Sequence, residues 1–123
     1  MDRALGWQRA EGLLVFLGGL LIFWQTGSGL AWWAAVLLFF APDLSFAGYL
    51  GGPKVGAALY NSVHIYGFGA GLLGLGVLAG MPVVAALGAL WLAHSGFDRM
   101  LGYGLKLPEG FTATHLGRIG PDA

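Results

Sequence analysis

From Gly12 to Trp24 the chain is almost unbrokenly apolar, and the run ends at a tight polar turn, Thr26-Gly27-Ser28-Gly29. A second apolar run opens at Leu30, is interrupted by Pro42-Asp43-Leu44-Ser45, and resumes to Leu50. Gly51-Gly52-Pro53-Lys54 turns the chain again, a third run follows, Gly80-Met81-Pro82 makes another turn, and a fourth run reaches Leu105. Apolar runs of about 20 residues match the length of a membrane-crossing helix. The pattern predicts four spans, over 9–25, 30–50, 55–79 and 83–105, with a polar tail at 106–123. The second span is expected to kink at Pro42, whose ring removes a backbone donor and frees a carbonyl that neighbours or water must satisfy. A re-entrant end to that span is the alternative. Short turns make sequential helices antiparallel. The expected fold is therefore all-α: an integral membrane four-helix antiparallel bundle with short loops, a kinked second helix and a short cytoplasmic C-terminal tail, in one domain covering 1–123.

Composition supports a membrane class. Of 123 residues, 57% are hydrophobic and 10% charged, and the mean hydropathy is +0.73, well away from an ordinary soluble domain. Zero net charge makes nucleic acid an unsuitable partner. The absence of cysteine removes disulfides, thiolate metal sites and cysteine nucleophiles, so a metal must be held by His, carboxylates or carbonyls. The 23 glycines are spread through apolar segments. Gly48/Gly52, Gly52/Gly56, Gly67/Gly71 and Gly76/Gly80 have the four-residue spacing of close helix packing. Gly69-Ala70-Gly71-Leu72-Leu73-Gly74 matches the dinucleotide-binding pattern by letter, but no strand precedes it and no acidic residue follows at the proper distance. It is a chance match. A signal peptide cleaved near Gly29-Leu30-Ala31 is the rival reading of the first run, and Glu11 fits badly in its apolar core.

Basic residues set the expected orientation. Arg3, Arg9, Lys54, Arg99, Lys106 and Arg118 fall at the N-terminus, the second turn and the C-terminal end, whereas the first and third turns carry none. Both termini are expected in the cytoplasm, with the chain multi-pass in the inner (cytoplasmic) membrane. Trp24, Trp32 and Trp33 then read as an outer aromatic belt.

Between Gly12 and Phe97 the only formal charges are Asp43 and Lys54. Helical rise puts Asp43 about 10 Å from the cytoplasmic end of its span, His64 about 15 Å from Lys54, and His94 about 18 Å from Lys106. Glu11 lies at the cytoplasmic start of the first span, and His94 and Asp98 stand four apart on one helix face. Ionisable groups inside a membrane are costly unless paired or wetted, so they turn inward and meet. Glu11, Asp43, His64, His94 and Asp98 are thus expected around one cytoplasm-facing cavity, with His115 closing over it from the tail. His64, His94, Asp98 and Asp43 are the expected ligands of a divalent transition metal, zinc, iron or manganese. Glu11, Asp43 and His115 are the candidates for moving protons. The plainer readings are interhelical hydrogen bonds for His64 and His94, pairing of Asp98 with Arg99 or Lys106, capping of the Ser45 or Phe46 amide by Asp43, and simple solvation of His115.

The chain resembles a family of small four-span bacterial membrane proteins, domain of unknown function 4260. The likeness rests on Glu11-Gly12, Pro42-Asp43-Leu44-Ser45, Gly48-Tyr49, Gly52-Pro53, Tyr60-Asn61 and His64-Ile65-Tyr66. It continues through Trp91, His94 to Arg99, Leu101 to Lys106, and Thr114-His115-Leu116-Gly117. The last stretch usually reads Asp-Thr-His-Leu, and Ala113 stands here in place of that Asp. The resemblance implies a membrane location and a shared polar pattern, with no known activity. A Pro-Asp pair and histidines at a membrane face are also similar to membrane-bound metal-dependent hydrolases, by analogy alone.

Four functions compete. The favoured one is a metal-dependent, hydrolase-like membrane enzyme whose metal makes hydroxide available to a lipid-like substrate at the cytoplasmic leaflet. A proton- or ion-coupled transport component would use the same groups as a half-channel, completed in a homo-oligomer, but the outer half of the bundle continues no polar path. A b-type haem between His64 and His94 is a third reading. A structural membrane subunit without catalysis is the fourth.

Overall fold

The computed structural model describes residues 3–107 and 110–118, except for the side chains of 110–113 and 117–118; Arg118 and Ala113 therefore lie outside the described side chains. Five α-helices follow in order: α1 (Arg3–Gln25), α2 (Trp32–Phe39), α3 (Pro53–His64), α4 (Tyr66–Leu78) and α5 (Pro82–Met100). A 3-10 helix, Ala41–Gly51, lies between α2 and α3. Arg3–Gln25 and Trp32–Gly51 are each long and apolar enough to cross a membrane, and α3 with α4 makes a third such stretch if the bent pair is one span.

The expected second and third spans are each broken in two. In the second, the α-helix stops at Phe39 and the chain continues through Pro42 as a 3-10 helix of 11 residues, with Pro42 in its first turn where a missing N–H costs least. In the third, Ile65 is extended (φ −79°, ψ 148°) and α3 meets α4 at a 45° bend. The break re-routes the backbone: the Phe68 amide donates to Ile65, and the His64 carbonyl accepts from Arg99 Nη2 at 2.9 Å. An arginine thus satisfies a carbonyl that a continuous helix would have bonded internally.

Helix α5 is the centre of the packing. Ala85, Ala86, Ala89, Leu90 and Ala93 are buried along it, with α1 and α4 on its flanks. Small residues allow this. A Cβ on Gly12 would overlap the backbone of Met100 and Gly96, and one on Gly88 would overlap the backbone of Leu73. Of the glycine pairs expected to pack, Gly48, Gly56 and Gly76 do face neighbours, whereas Gly67 and Gly71 face open space. Gly52 and Gly80 instead take positive φ in turns.

Helix α5 ends at Met100, short of the expected Leu105. Gly102 adopts φ 91°, its amide donates to Arg99, and the Tyr103 amide reaches back to Asp98 at 2.8 Å. This is the double bond of a glycine-terminated helix. Beyond it the tail is not a featureless polar segment. It forms a small antiparallel sheet of order β1-β2-β3, from Lys106–Leu107, Gly110–Thr114 and Gly117–Arg118. Trp24, Trp32 and Trp33 are all exposed at the α1–α2 connection, as a belt would be.

Candidate metal centre

Four side chains from three segments converge. His94 and Asp98 come from adjacent turns of α5, His64 closes α3 at its bend, and Asp43 sits in the first turn of the 3-10 helix. One ligand-type atom from each lies within 4.8 Å of all the others. His94 Nε2 is 3.1 Å and His64 Nε2 3.2 Å from the same Asp43 Oδ1. The same two nitrogens stand 3.5 and 3.6 Å from Asp98 Oδ2. The side chains of His64, His94 and Asp98 are 0%, 1% and 10% exposed, and that of Asp43 is 34% exposed.

The backbone settles the tautomer of His64. Its Nδ1 lies 2.7 Å from the carbonyl oxygen of Tyr60, one turn earlier on α3. A carbonyl only accepts, so Nδ1 carries the proton. In the neutral ring Nε2 is then a bare lone pair, and it faces a carboxylate oxygen at 3.2 Å. Two lone pairs at that distance need a metal ion or a shared proton between them. His94 Nε2 lies at a similar distance from the same oxygen, but its Nδ1 is buried without a partner among the described residues, so its Nε2 is free to carry the proton and donate it to Asp43.

A surrounding layer holds these groups in place. The Tyr60 hydroxyl donates to Asp98 Oδ2 at 3.2 Å, and its ring stacks on His64 with centroids 3.7 Å apart and planes 9° apart. Arg99 is buried and spans two segments, with Nη2 on the His64 carbonyl and Nη1 on the Tyr103 carbonyl. Asn61 pairs with the Lys106 backbone in both directions, Nδ2 donating to its carbonyl and Oδ1 accepting from its amide, at 2.8 and 2.7 Å. This places the Lys106 ammonium over the Tyr60 ring, 5.1 Å from its centroid. Burial holds the Lys106 ammonium below the usual lysine range, against the opposing pull of Asp98 and Asp43.

Asp43 Oδ1 faces both histidines, and the Ser45 hydroxyl donates to the Pro42 carbonyl. Asp98 faces Tyr60 and the imidazoles. Glu11 and His115 are not among the four. Glu11 is exposed on α1, and His115 accepts the Leu105 amide on Nδ1 at 2.7 Å while its own amide donates to the Leu105 carbonyl. Each imidazole Nε2 has a carboxylate oxygen of Asp43 and of Asp98 within 3.6 Å, an oxygen-rich setting that suits a bare ion better than a haem iron. Tyr60, Asn61 and Arg99, none of them among the expected site residues, hold the cluster from outside it. Tyr60 was detectable from its position four residues before His64, which places both on one helix face.

Neither a curated protein nor a solved structure matches the chain. Residues 5–119, nearly its whole length, match the family described as Domain of unknown function (DUF4260), and the chain belongs to that family.

Proposed function

We propose that Asp43, His64, His94 and Asp98 bind one divalent transition metal in an integral membrane protein, and that the centre serves hydrolase-like chemistry at the cytoplasmic leaflet. The observation that carries this is the His64 Nε2 lone pair, aimed at Asp43 Oδ1 by a proton that the Tyr60 carbonyl fixes on Nδ1. Two imidazoles and two carboxylates suit zinc, iron or manganese, and their two negative charges balance a dication. When bound, such an ion brings the pKa of its water to about 7 and supplies hydroxide at neutral pH. The chain's own groups do the rest. Tyr60 orients Asp98 through its hydroxyl, as outer hydrogen bonds to metal-binding carboxylates commonly do. Asp43, the most exposed of the four, stands at the open side of the cluster.

Elemental analysis of the purified protein tests this. The expected result is about one equivalent of zinc, iron or manganese per chain, falling to background in His94→Ala. Metal well below stoichiometry and unchanged in His94→Ala overturns it, and leaves a quartet of two histidines and two aspartates that only fixes helix register.

A further inference from the structure

An apolar recess begins where the candidate metal centre ends. Helix α1 lines it with Phe16, Leu20 and Phe23, which its period places on one face, while α2 contributes Val36 and Phe39 and α5 contributes Leu90. Every residue lining the recess is apolar. Leu90 is one turn along α5 from His94, and the Phe39 ring meets the His94 imidazole edge-on with centroids 5.3 Å apart. Phe40, which also lines the recess, reaches the same imidazole at 6.1 Å. The recess therefore abuts the ring whose Nε2 belongs to the cluster and extends along α1 from Phe16 to Phe23, about 10 Å. Its volume is 240 Å³. At about 30 Å³ for a water-sized group, that is room for about eight methylenes.

We infer that this recess holds a single acyl chain of an amphiphilic substrate whose polar head reaches the metal centre. The inference rests on the metal-centre reading and assigns its substrate class. Continuity selects this occupant over bulk lipid. Phe39 and Phe40 join the inner end of the recess to His94, so a chain seated there has its head end beside the cluster and its methyl end near Phe23. The outer faces of the same helices, at Leu14, Leu21 and Leu37, are exposed without such a boundary.

The test is photolabelling of the full chain in phosphatidylcholine nanodiscs, using two fatty acids that carry a diazirine near the carboxyl end or at the methyl end. Labelled residues are mapped by mass spectrometry. The carboxyl-end probe is expected on Phe39 and Phe40 and the methyl-end probe on Phe23, each enriched about tenfold over Leu14, Leu21 and Leu37. Leu20→Trp and, independently, Val36→Phe are expected to fill the recess and return labelling to the level of those leucines. Equal labelling of recess and outer faces in the unsubstituted protein, or a reversed order of the two probes, overturns the inference. Labelling needs no metal, and elemental analysis of the same samples reads the centre separately. A labelled recess in metal-free protein supports the acyl site and overturns only the metal reading.

Discussion

His64 does its work because a backbone carbonyl decides which of its nitrogens carries the proton. The Tyr60 carbonyl takes Nδ1–H, the Tyr60 ring covers one face, and only Nε2 is left to point at the carboxylates. His115 shows the opposite use of the same side chain. Its Nδ1 must be unprotonated to accept the Leu105 amide, and partial burial together with the nearby Arg99 charge holds its pKa below the usual histidine value. A base with a lowered folded-state pKa binds fewer protons folded than unfolded. The tail contact is thus complete above pH about 6.5 and is lost as pH falls below that value toward the lowered pKa. Amide hydrogen exchange at Leu105 should accelerate on acidification through this window, beyond the intrinsic change, and His115→Gln should remove the extra acceleration. An exchange rate for Leu105 that tracks only the intrinsic pH dependence in the unsubstituted protein would count against the contact.

Among the elements, helix packing depends on glycine more than on large side chains. Gly12 and Gly96 let α1 and α5 touch backbone to backbone, so Gly12→Val must push α1 away from Met100. Overpacking of this kind costs about 1–3 kcal/mol. Thermal unfolding in detergent should show the loss, whereas Gly18→Val on the open face of α1 should leave the midpoint nearly unchanged. Much of this element structure was legible in the chain. The apolar runs place the helices, Pro42 marks where the second one changes character, and Gly80 lies at the observed end of α4; the stop of α5 before Gly102 was not expected, since the apolar run continues to Leu105. The break at Ile65 was not legible, because its cause is tertiary: Arg99, 35 residues away from His64, satisfies the freed carbonyl. The tail sheet was hidden for a similar reason, since Asn61 rather than any local turn signal anchors Lys106. The four cluster residues could be named from depth and the cost of burying charge. Of the residues that orient them, Tyr60 could be reached from its place one turn before His64, but Arg99 could not, since it acts through a contact that no spacing rule connects to the cluster.

Taken as a whole, the molecule gathers its polar groups from three segments: the 3-10 helix packs closely on α3, whereas α3 shares little with α5. Asp43, His64 and the α5 pair arrive from three separate stretches of chain, so a bound ion is a cross-link for the fold. Any ion that binds only the folded state stabilises it by mass action, about 2.7 kcal/mol at a hundredfold excess over Kd. Unfolding midpoints measured with saturating metal and with chelator should differ accordingly, and Asp43→Ala should shrink the difference. Identical midpoints for the unsubstituted protein in the two conditions would mean that nothing ties the segments together in this way. The four side chains also differ in their footing. Three stand on α-helices and are largely buried; Asp43 alone stands on a 3-10 stretch, whose tighter turns make poorer hydrogen bonds, and it is the most exposed of the four. For an ion held by these four residues, Asp43 is the ligand nearest the outside, so its exchange on this side would follow how readily residues 41–51 give way.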